Sequence, residues 1–316
     1  MARIVDVLII GGGPAGLTAA SILARQVITC VIFDNGTYRN KLSNEMHTVL
    51  TAENGSPEAF RAKARQELLQ KYETIAFQDT TIAKVTKLEG GFEAEDRDGT
   101  KWQGKKLILA TGVEDIFPAI EGYAECWAVG IYHCIFCKGF EDRGADSCGL
   151  LAIDKPMNIQ HAMNAARMAS QFSKRVVFYT NGDEALAAQF VAVFPSAPVF
   201  SSDSRKIAKL VKGPSGGQVI IHFENGMQTT EGFIFHKPLT KAKGPFAEQL
   251  GLETTPEGDL VVKPPFAQTS DKDVFAAGDN ASLFKMVTVA MHMGGLAGAQ
   301  VASRLAAEKL GQTSLF

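Results

Sequence analysis

The feature that most constrains the fold is a glycine-rich loop between an apolar strand pattern and a helical pattern near the N-terminus. Residues 5–10, VDVLII, predict a short buried strand, and apolar residues at helical spacing follow the loop. Gly11, Gly13 and Gly16 have the G-x-G-x-x-G spacing. The first glycine permits a tight turn, the second lets the backbone approach a pyrophosphate, and the third lets the helix pack closely on the strand.

An acidic residue completes this unit. A second apolar strand pattern, CVIFD, ends at Asp34. A carboxylate at that strand end can accept hydrogen bonds from ribose hydroxyls, while the free N–H groups of the helix N-terminus attract phosphates. The glycines alone would be weak evidence, because glycine-rich loops occur in other α/β folds. Strand, glycines, helix, strand and acid in this order predict a dinucleotide site.

Length and composition limit the number of domains and the classes of protein to consider. A chain of 316 residues favours two domains, and 46% apolar with 21% charged residues is ordinary for a globular protein. The net charge of −2 offers no excess positive charge for nucleic acid, and no apolar run is long enough to span a bilayer. The N-terminal residues lack a secretion-signal pattern. Five scattered cysteines do not suggest a disulfide scaffold, so we expect a reducing, cytoplasmic location.

Cys134 and Cys137 form a C-x-x-C pair within IYHCIFCKGF, residues 131–140. Such a pair can bind zinc, staple a loop or undergo redox exchange. Zinc usually needs four nitrogen or sulfur ligands, and the other three cysteines supply no second pair. Redox exchange is therefore favoured, and a helix N-terminus near the pair would favour the thiolate. His133 is a candidate base for an incoming thiol, or alternatively a packing histidine.

Two distant segments favour FAD as the dinucleotide. Residues 107–112, LILATG, and 274–279, VFAAGD, each predict a strand that ends in a small-residue turn. Asp279 at the second strand end could bond ribityl hydroxyls. A helical pattern follows at 287–310, and we expect its small residues, such as Gly294, to allow close approach of a large flat cofactor.

The strings IIGGGPAG, ATG and FAAGD, with a C-x-x-C midway along the chain, resemble the low-molecular-weight thioredoxin reductases, which are flavoprotein disulfide reductases. The resemblance implies an α/β fold with two Rossmann-like, dinucleotide-binding-type domains. It implies a discontinuous FAD-binding domain at 1–115 plus 240–316. It also implies an inserted domain of the NAD(P)H type at 116–239, which carries the C-x-x-C. By the same resemblance, Cys137 would face the flavin and Cys134 would exchange with the substrate.

The expected FAD contacts combine the residues of these motifs with positions that the resemblance adds. They are Gly11, Gly13, Pro14, Ala15, Gly16, Asp34, Arg39, Asn40, His47, Thr111, Gly112, Gly278, Asp279 and Val287. Three of them, Arg39, Asn40 and His47, could equally be ordinary polar loop residues.

The inserted domain departs from a reductase at the nicotinamide site. A strand, helix and strand pattern is kept between residues 149 and 179, but residues 154–157, DKPM, replace the glycines. Side chains there would block the approach of a pyrophosphate. Asp183 and Glu184 stand where an NADPH enzyme places arginines for the 2′-phosphate. We therefore expect no functional NAD(P)H site.

With a flavin and a dithiol but no nicotinamide site, electrons would run from thiols to flavin and then to dioxygen. CIFCKGFEDRG, AAGDNAS and the altered second loop resemble the fungal thioredoxin-reductase-like dithiol oxidases, which close disulfides in secondary metabolites such as gliotoxin and aspirochlorine. This resemblance implies a homodimer that oxidises a small-molecule dithiol and reduces O2 to H2O2. The alternatives are an NADPH-dependent thioredoxin or glutaredoxin-like reductase, and a flavin-bound protein that acts by sequestration.

The residues around the cysteines bear on this chemistry. Lys138 occupies the position where thioredoxin reductases carry an aspartate proton donor, which suits a site that stabilises thiolates. The apolar neighbours Ile131, Tyr132, Ile135 and Phe136 fit either a small apolar dithiol or a core. For Ile131 and Ile135 we expect the core.

Overall fold

The structure is a computed structural model that describes residues 4–153, 159–194 and 198–315. The chain divides into two compact units. Unit 1 comprises Met1–Glu45, Val49–Glu114 and Thr240–Phe316, and unit 2 comprises Met46–Thr48 and Asp115–Leu239. The sequence-based bounds for two domains were 1–115 plus 240–316, and 116–239. The short segment Met46–Thr48 of unit 2 was not anticipated.

The first part of the chain alternates strands and helices before it turns into an antiparallel meander. Its elements are β1 (Val5–Ile10), α1 (Pro14–Ala24), β2 (Cys30–Phe33), α2 (Pro57–Lys71), β3 (Ile75–Gln78), β4 (Ile82–Leu88), β5 (Gly91–Asp96), β6 (Lys101–Leu109) and β7 (Val113–Ile116). Local signals start α2, because the Ser56 side chain accepts a hydrogen bond from the Ala59 N–H and Pro57 takes the first helical position.

Unit 2 continues with α3 (Tyr123–Cys126), β8 (Ile131–Tyr132), β9 (Cys148–Leu151), α4 (Ile159–Ala169), β10 (Val176–Tyr179), α5 (Glu184–Val193), β11 (Phe200–Asp203), β12 (Ile207–Lys212), β13 (Val219–Phe223), β14 (Gln228–Glu231) and β15 (Ile234–Phe235). Five of these strands form a parallel sheet in the order β11-β10-β9-β15-β8. Strands β12, β13 and β14 form an antiparallel sheet. The parallel sheet and its crossover helices give unit 2 a Rossmann-like frame.

The last part of the chain returns to unit 1. Its elements are β16 (Leu239–Ala242), α6 (Phe246–Leu250), β17 (Val274–Ala276), a 3₁₀ helix (Asp279–Ala281) and α7 (Val287–Lys309). Strand β16 pairs with β7 in a two-stranded sheet. Strands β3, β2, β1 and β6 run parallel in that order, and β17 adds to β6 in parallel. The predicted α/β class with two Rossmann-like frames is confirmed.

Most predicted elements have close counterparts. The strand expected at 5–10 coincides with β1, and the helical pattern at 287–310 is α7. In unit 2, β9, α4 and β10 follow the expected strand, helix and strand between residues 149 and 179. The predicted DKPM loop at 154–157 lies outside the described residues. In the part of the chain that the structure describes, every helix is too short or too polar to cross a bilayer.

The small residues of α7 permit a close helix–helix contact. A Cβ at Gly294 would lie 2.1 Å from the Ala15 carbonyl oxygen, and one at Gly298 would lie 2.8 Å from the Ala19 carbonyl oxygen. Larger side chains at either position would push α7 away from α1. We expected the small residues of α7 to make room for a flat cofactor. At Gly294 and Gly298 they instead make room for the backbone of α1.

Candidate functional site

The glycine loop after β1 is shaped by contacts that exclude side chains. Gly11 has φ +119°, and a Cβ there would lie 2.1 Å from the Ala110 carbonyl oxygen. A Cβ at Gly16 would lie 2.0 Å from the Gly11 carbonyl oxygen, so the third glycine lets α1 pack on the turn, as predicted. Sequence reasoning missed Gly12, where a Cβ would lie 2.2 Å from Asp34 Oδ2.

Gly13 differs from its neighbours because the space beside it is open. A Cβ at Gly13 would meet no atom within 4 Å, and the backbone there is extended with φ −76°. Helix α1 begins at the next residue with Pro14, without a side-chain cap and without an acidic residue in its first turn. An uncapped helix N-terminus that faces open space is suited to an anion such as a pyrophosphate.

Asp34 lies directly after β2 and is 8% exposed. Its Oδ1 accepts a hydrogen bond from the Gly36 N–H at 3.0 Å, and its Oδ2 accepts one from the Tyr38 hydroxyl at 2.5 Å. The Arg61 guanidinium lies 3.7 Å from the centre of the Tyr38 ring. Burial, with the adjoining Asp34 carboxylate, raises the pKa of Tyr38 well above its usual range, so its hydroxyl stays a donor.

A cavity of about 540 Å³ opens beside Asp34. Its wall is about equally polar and apolar and carries both signs of charge, which suits the sugar and base of a nucleotide. The lining residues are Asp34, Asn35, Gly36, Tyr38, Arg65, Asp79, Thr80, Thr81, Arg97 and Asp98.

A second group of predicted residues follows β6 and β17, which are neighbouring parallel strands. Thr111 and Gly112 come after β6, and Gly278 and Asp279 come after β17. Arg39 Nη1 lies 3.2 Å from Asp279 Oδ2, so the structure brings these two predicted residues together. Ligands of open parallel sheets bind outside the carboxyl ends of the strands, which is where these residues lie.

Asn280 is a site residue that sequence reasoning missed. It is fully buried, and its side-chain amide donates to the Leu109 carbonyl at 2.9 Å and to Thr111 Oγ1 at 3.3 Å. Its Oδ1 has no hydrogen-bond partner among the described residues. A buried carbonyl oxygen without a donor is costly, and a bound group could supply that donor.

Lys285 was also missed, although it fixes the turn that leads into α7 at Val287. Its side chain is 6% exposed. The ammonium donates to Asp259 Oδ1 at 2.8 Å, to the Asp279 carbonyl at 2.7 Å and to the Ser282 carbonyl at 2.8 Å. The single signal in the sequence was a lysine within an otherwise small and apolar turn.

In unit 2, Cys134 and Cys137 are joined by a disulfide with their Cα atoms 5.2 Å apart. Both residues are half-buried. They lie in a turn, and the chain leaves it through Gly139 at φ +133° without starting a helix beside the pair. A single backbone group takes over the expected electrostatic role, since the Cys137 N–H donates to Cys134 Sγ at 3.1 Å. That donor would stabilise a thiolate on Cys134.

The apolar residues around the disulfide separate into core and surface. Ile131 and Ile135 are buried, which confirms the core expectation for both. Tyr132 is also buried, and its hydroxyl donates to Asp142 Oδ2 at 2.7 Å. Phe136, between the two cysteines, is 64% exposed and is therefore available to an apolar partner.

Two histidines of the predicted site lie in unit 2. The His133 ring stacks on the Trp127 indole, with ring centres 5.7 Å apart and planes inclined by 27°. His47, predicted at the flavin, lies in the unit 2 segment Met46–Thr48 with its Nε2 3.4 Å from Glu141 Oε1. Asn40, expected beside Arg39, accepts a hydrogen bond from Arg61 through Oδ1 at 2.9 Å.

The acidic residues after β10 lie at the start of helix α5, where they stabilise the helix. Asp183 is the N-cap of α5, and its Oδ1 accepts a hydrogen bond from the Leu186 N–H at 2.8 Å. Glu184 is the first residue of that helix. Arg205, after β11, is held by Asp203 at 3.0 Å and lies 3.8 Å from the centre of the Phe223 ring. The negative cap and the neutralised arginine give this strand end little attraction for a phosphate.

We expect Asp34→Ala to weaken flavin retention at least tenfold, because the variant lacks the buried carboxylate that we predict to bond a ribose. The measurement is flavin content after dialysis, with the melting temperature as a check on folding. Tyr38→Phe is the matched control, since it removes one hydrogen bond to Asp34 and keeps the carboxylate. A fully flavinated Asp34→Ala protein would remove this residue from the site.

Comparison with known proteins agrees with this arrangement. The profile of the family "Pyridine nucleotide-disulphide oxidoreductase" matches residues 5–146. The thioredoxin reductase tcpT of Claviceps purpurea is 44% identical over 99% of this chain and 98% of its own length. The thioredoxin reductase aclD of Aspergillus oryzae is 42% identical over 96% of this chain and 98% of its own length.

A solved oxidoreductase from Agrobacterium tumefaciens has the same fold, with a TM-score of 0.86 and 28% identity over 96% of this chain and 99% of that one. The resemblance to fungal thioredoxin-reductase-like proteins expected from the motifs is confirmed. The chain therefore belongs, with these fungal relatives, to the thioredoxin-reductase-like flavoproteins of the pyridine nucleotide-disulphide oxidoreductase family.

Proposed function

We propose that this protein is an FAD-dependent dithiol oxidase that forms a disulfide in a small-molecule dithiol and reduces O2 to H2O2. The observation that carries the proposal is the contrast between the two units. In unit 1 the strand β2 leads into Asp34 beside a cavity of about 540 Å³, whereas in unit 2 the strand β10 leads into Asp183, which caps α5, and the nearby Arg205 is held by Asp203. A nucleotide site in unit 1 and a disulfide in unit 2 support an enzyme that needs no nicotinamide. We propose that it acts as a cytoplasmic homodimer.

The residues present in unit 1 fit FAD. The loop at Gly13 and the start of α1 would hold the pyrophosphate, Asp34 the adenosine ribose, and Asp279 with Arg39 the ribityl side. The buried Oδ1 of Asn280 would gain a donor from a bound group. When bound, FAD would accept an electron pair from the cysteines and pass it to dioxygen.

The disulfide supplies the exchange chemistry. A substrate thiolate attacks Cys134 Sγ, the bond between the two cysteine sulfurs breaks, and Cys137 leaves as a thiolate. The second substrate thiolate then attacks the substrate sulfur of this mixed disulfide, and Cys134 leaves. The backbone N–H of Cys137 stabilises the charge that returns to Cys134 Sγ. The substrate loses two electrons and two protons, so a dithiol and O2 give a disulfide and H2O2.

Proton removal from the substrate is assigned to His133. This residue precedes Cys134, is half-buried, and so is open to an incoming thiol. A neutral imidazole accepts the thiol proton and thereby generates the attacking thiolate. Lys138 after the second cysteine adds a positive charge to the same turn and favours thiolates over thiols.

The second candidate is an NADPH-dependent disulfide reductase. Two observations favour it: the relatives are named thioredoxin reductases, and unit 2 keeps a parallel Rossmann-like sheet. In a reductase the electron pair would run the other way, from NADPH to a disulfide substrate. The direction of electron flow therefore separates the two candidates.

We expect a small dithiol in excess to bleach the flavin absorbance without oxygen, and equal NADPH or NADH to leave it unchanged over minutes. The acids after β10, together with the absence of glycine from residues 154–157 in the sequence, disfavour a nicotinamide dinucleotide. In air, the dithiol should consume one O2 and yield one H2O2 for each disulfide formed. Rapid bleaching by NADPH, with none by the dithiol, would establish the reductase instead.

A further inference from the structure

A tight reversal of the chain places Trp127 beside the residues that precede the disulfide. Helix α3 ends at Cys126, and Ala128 adopts a left-handed conformation with φ +63°. The Ala128 N–H donates to the Ile131 carbonyl at 3.0 Å, and residues 127 and 131 form a parallel bridge. A non-glycine residue in this region of φ persists only where its surroundings determine the conformation.

The indole of Trp127 is a rigid platform. It is 5% exposed, with the Phe117 ring at 5.0 Å and the Tyr123 ring at 5.9 Å between centres. The imidazole of His133 stacks on the same indole at 5.7 Å with an angle of 27°. The indole thus joins the buried Tyr123 ring and the partly exposed Phe117 ring to the histidine adjacent to Cys134.

The described residues of this region include other titratable groups, from which the test below has to separate His133. His236 lies beyond Tyr123, whose hydroxyl is 2.7 Å from its Nδ1, and burial lowers the pKa of His236 to about 4. Cys134 is locked in the disulfide in the oxidised protein. Charged residues of this region include Lys138, Glu141 beside His47, Asp142, which accepts from Tyr132, and Glu125 and Lys212 near Cys126.

From this geometry we infer that Trp127 is a positioning residue for His133, holding the imidazole beside the disulfide and favouring its protonated form. This inference rests on the proposed role of His133 as the base. The face of an indole is electron-rich and attracts a cation stacked on it more strongly than phenyl does. The stack would therefore stabilise the imidazolium that forms when His133 takes the thiol proton.

The stack can be tested by fluorescence without any turnover. The chain has two tryptophans, so Trp102→Phe leaves Trp127 as the single emitter. A stacked imidazolium quenches indole emission, and the disulfide cysteines do not titrate in the oxidised protein. We expect emission to rise with pH through one midpoint roughly half to one pH unit above that of free histidine, because the indole favours the imidazolium. His133→Asn in the same background should abolish this change. A pH-independent emission, or an unchanged titration in His133→Asn, would refute the stack.

The functional consequence can be tested with a graded series at position 127. Trp127→Leu should lower kcat about tenfold and move the acid limb of the kcat profile downward by roughly half to one pH unit, because the imidazolium loses its aromatic partner. Trp127→Phe should give smaller changes of the same sign. Phe117→Leu is the control, since it removes a ring from Trp127 and keeps the stack with His133. An acid limb that stays in place in both Trp127 variants would overturn the inference.

The two experiments separate this inference from the proposed function. If the unmodified protein oxidises no dithiol, the proposed function fails, while the fluorescence titration still decides whether Trp127 reports on His133. If Trp127→Leu does not fold, the kcat profile of Trp127→Phe and the fluorescence titration of Trp102→Phe still test whether Trp127 positions His133.

Discussion

Serine in place of either Cys134 or Cys137 should abolish dithiol oxidation, with a loss on the order of 10³-fold or more, as expected when a reacting nucleophile is removed. Two thiols are needed to take up two electrons and release the product. The assay is oxygen consumption with a small dithiol at saturating flavin. Cys126→Ala is the matched control, because Cys126 is a buried free cysteine of the same unit. Full activity in either serine variant would end the oxidase proposal.

The two serine variants should also differ from each other. In Cys137→Ser, the Cys134 thiolate should attack an added disulfide reagent, release one reagent thiolate and stay trapped as the mixed disulfide, because no partner thiol can resolve it. The structure adds a reason for faster reaction at Cys134, since its sulfur accepts the backbone N–H of residue 137. Mass spectrometry of the intact protein measures the adduct. Faster trapping of Cys137 in Cys134→Ser would show that Cys137 exchanges with the substrate and Cys134 faces the flavin. The dithiol exchange mechanism itself would be unaffected.

Alanine at Gly11 should unfold the nucleotide loop, whereas alanine at Gly13 should leave the fold intact and release the flavin. At Gly11 the new methyl group would lie 2.1 Å from the Ala110 carbonyl oxygen in a backbone with φ +119°. We expect a loss of about 3 kcal/mol or more in the free energy of unfolding. At Gly13 the methyl group meets nothing in the protein, so the cost should stay below about 1 kcal/mol.

If Gly13→Ala binds flavin more weakly, the cause must then be a clash between the new methyl group and the cofactor itself. The measurements are thermal unfolding of the flavin-free proteins and flavin affinity by titration. We expect affinity for FAD to fall at least tenfold in Gly13→Ala, because its methyl group would hold the pyrophosphate away from the N–H groups of α1. Wild-type affinity in this variant would place the pyrophosphate elsewhere.

Local rules made the β1–α1–β2 unit predictable from sequence. The strand, glycine spacing, helix and acid lie within thirty residues, so each constrains its neighbours directly. The core position of Ile131 and Ile135 agrees with the preference of isoleucine for the protein interior, although the neighbouring Phe136 is exposed. Such features need no knowledge of which distant segments meet.

The missed features depend on contacts between distant segments. Gly12 is required by Asp34, which lies on the neighbouring strand, and Asn280 bonds Leu109 across a large sequence separation. The pairing of His47 with Glu141 depends on the segment Met46–Thr48 belonging to unit 2. Motif spacing contains no information about these pairings. The sequence also does not distinguish an acid after β10 that repels a phosphate from one that caps a helix.

The parallel pairing of β17 with β6 has a consequence for how the protein is made. The carboxyl half of β6, Leu107–Leu109, is buried, yet its partner Val274–Ala276 leaves the ribosome only after all of Asp115–Leu239 has been synthesised. Throughout that interval the nascent chain carries an apolar strand edge without its partner, and such edges invite pairing with other chains. Slow translation or a scarce chaperone during this window should therefore reduce the yield of native protein more than comparable delays after residue 276.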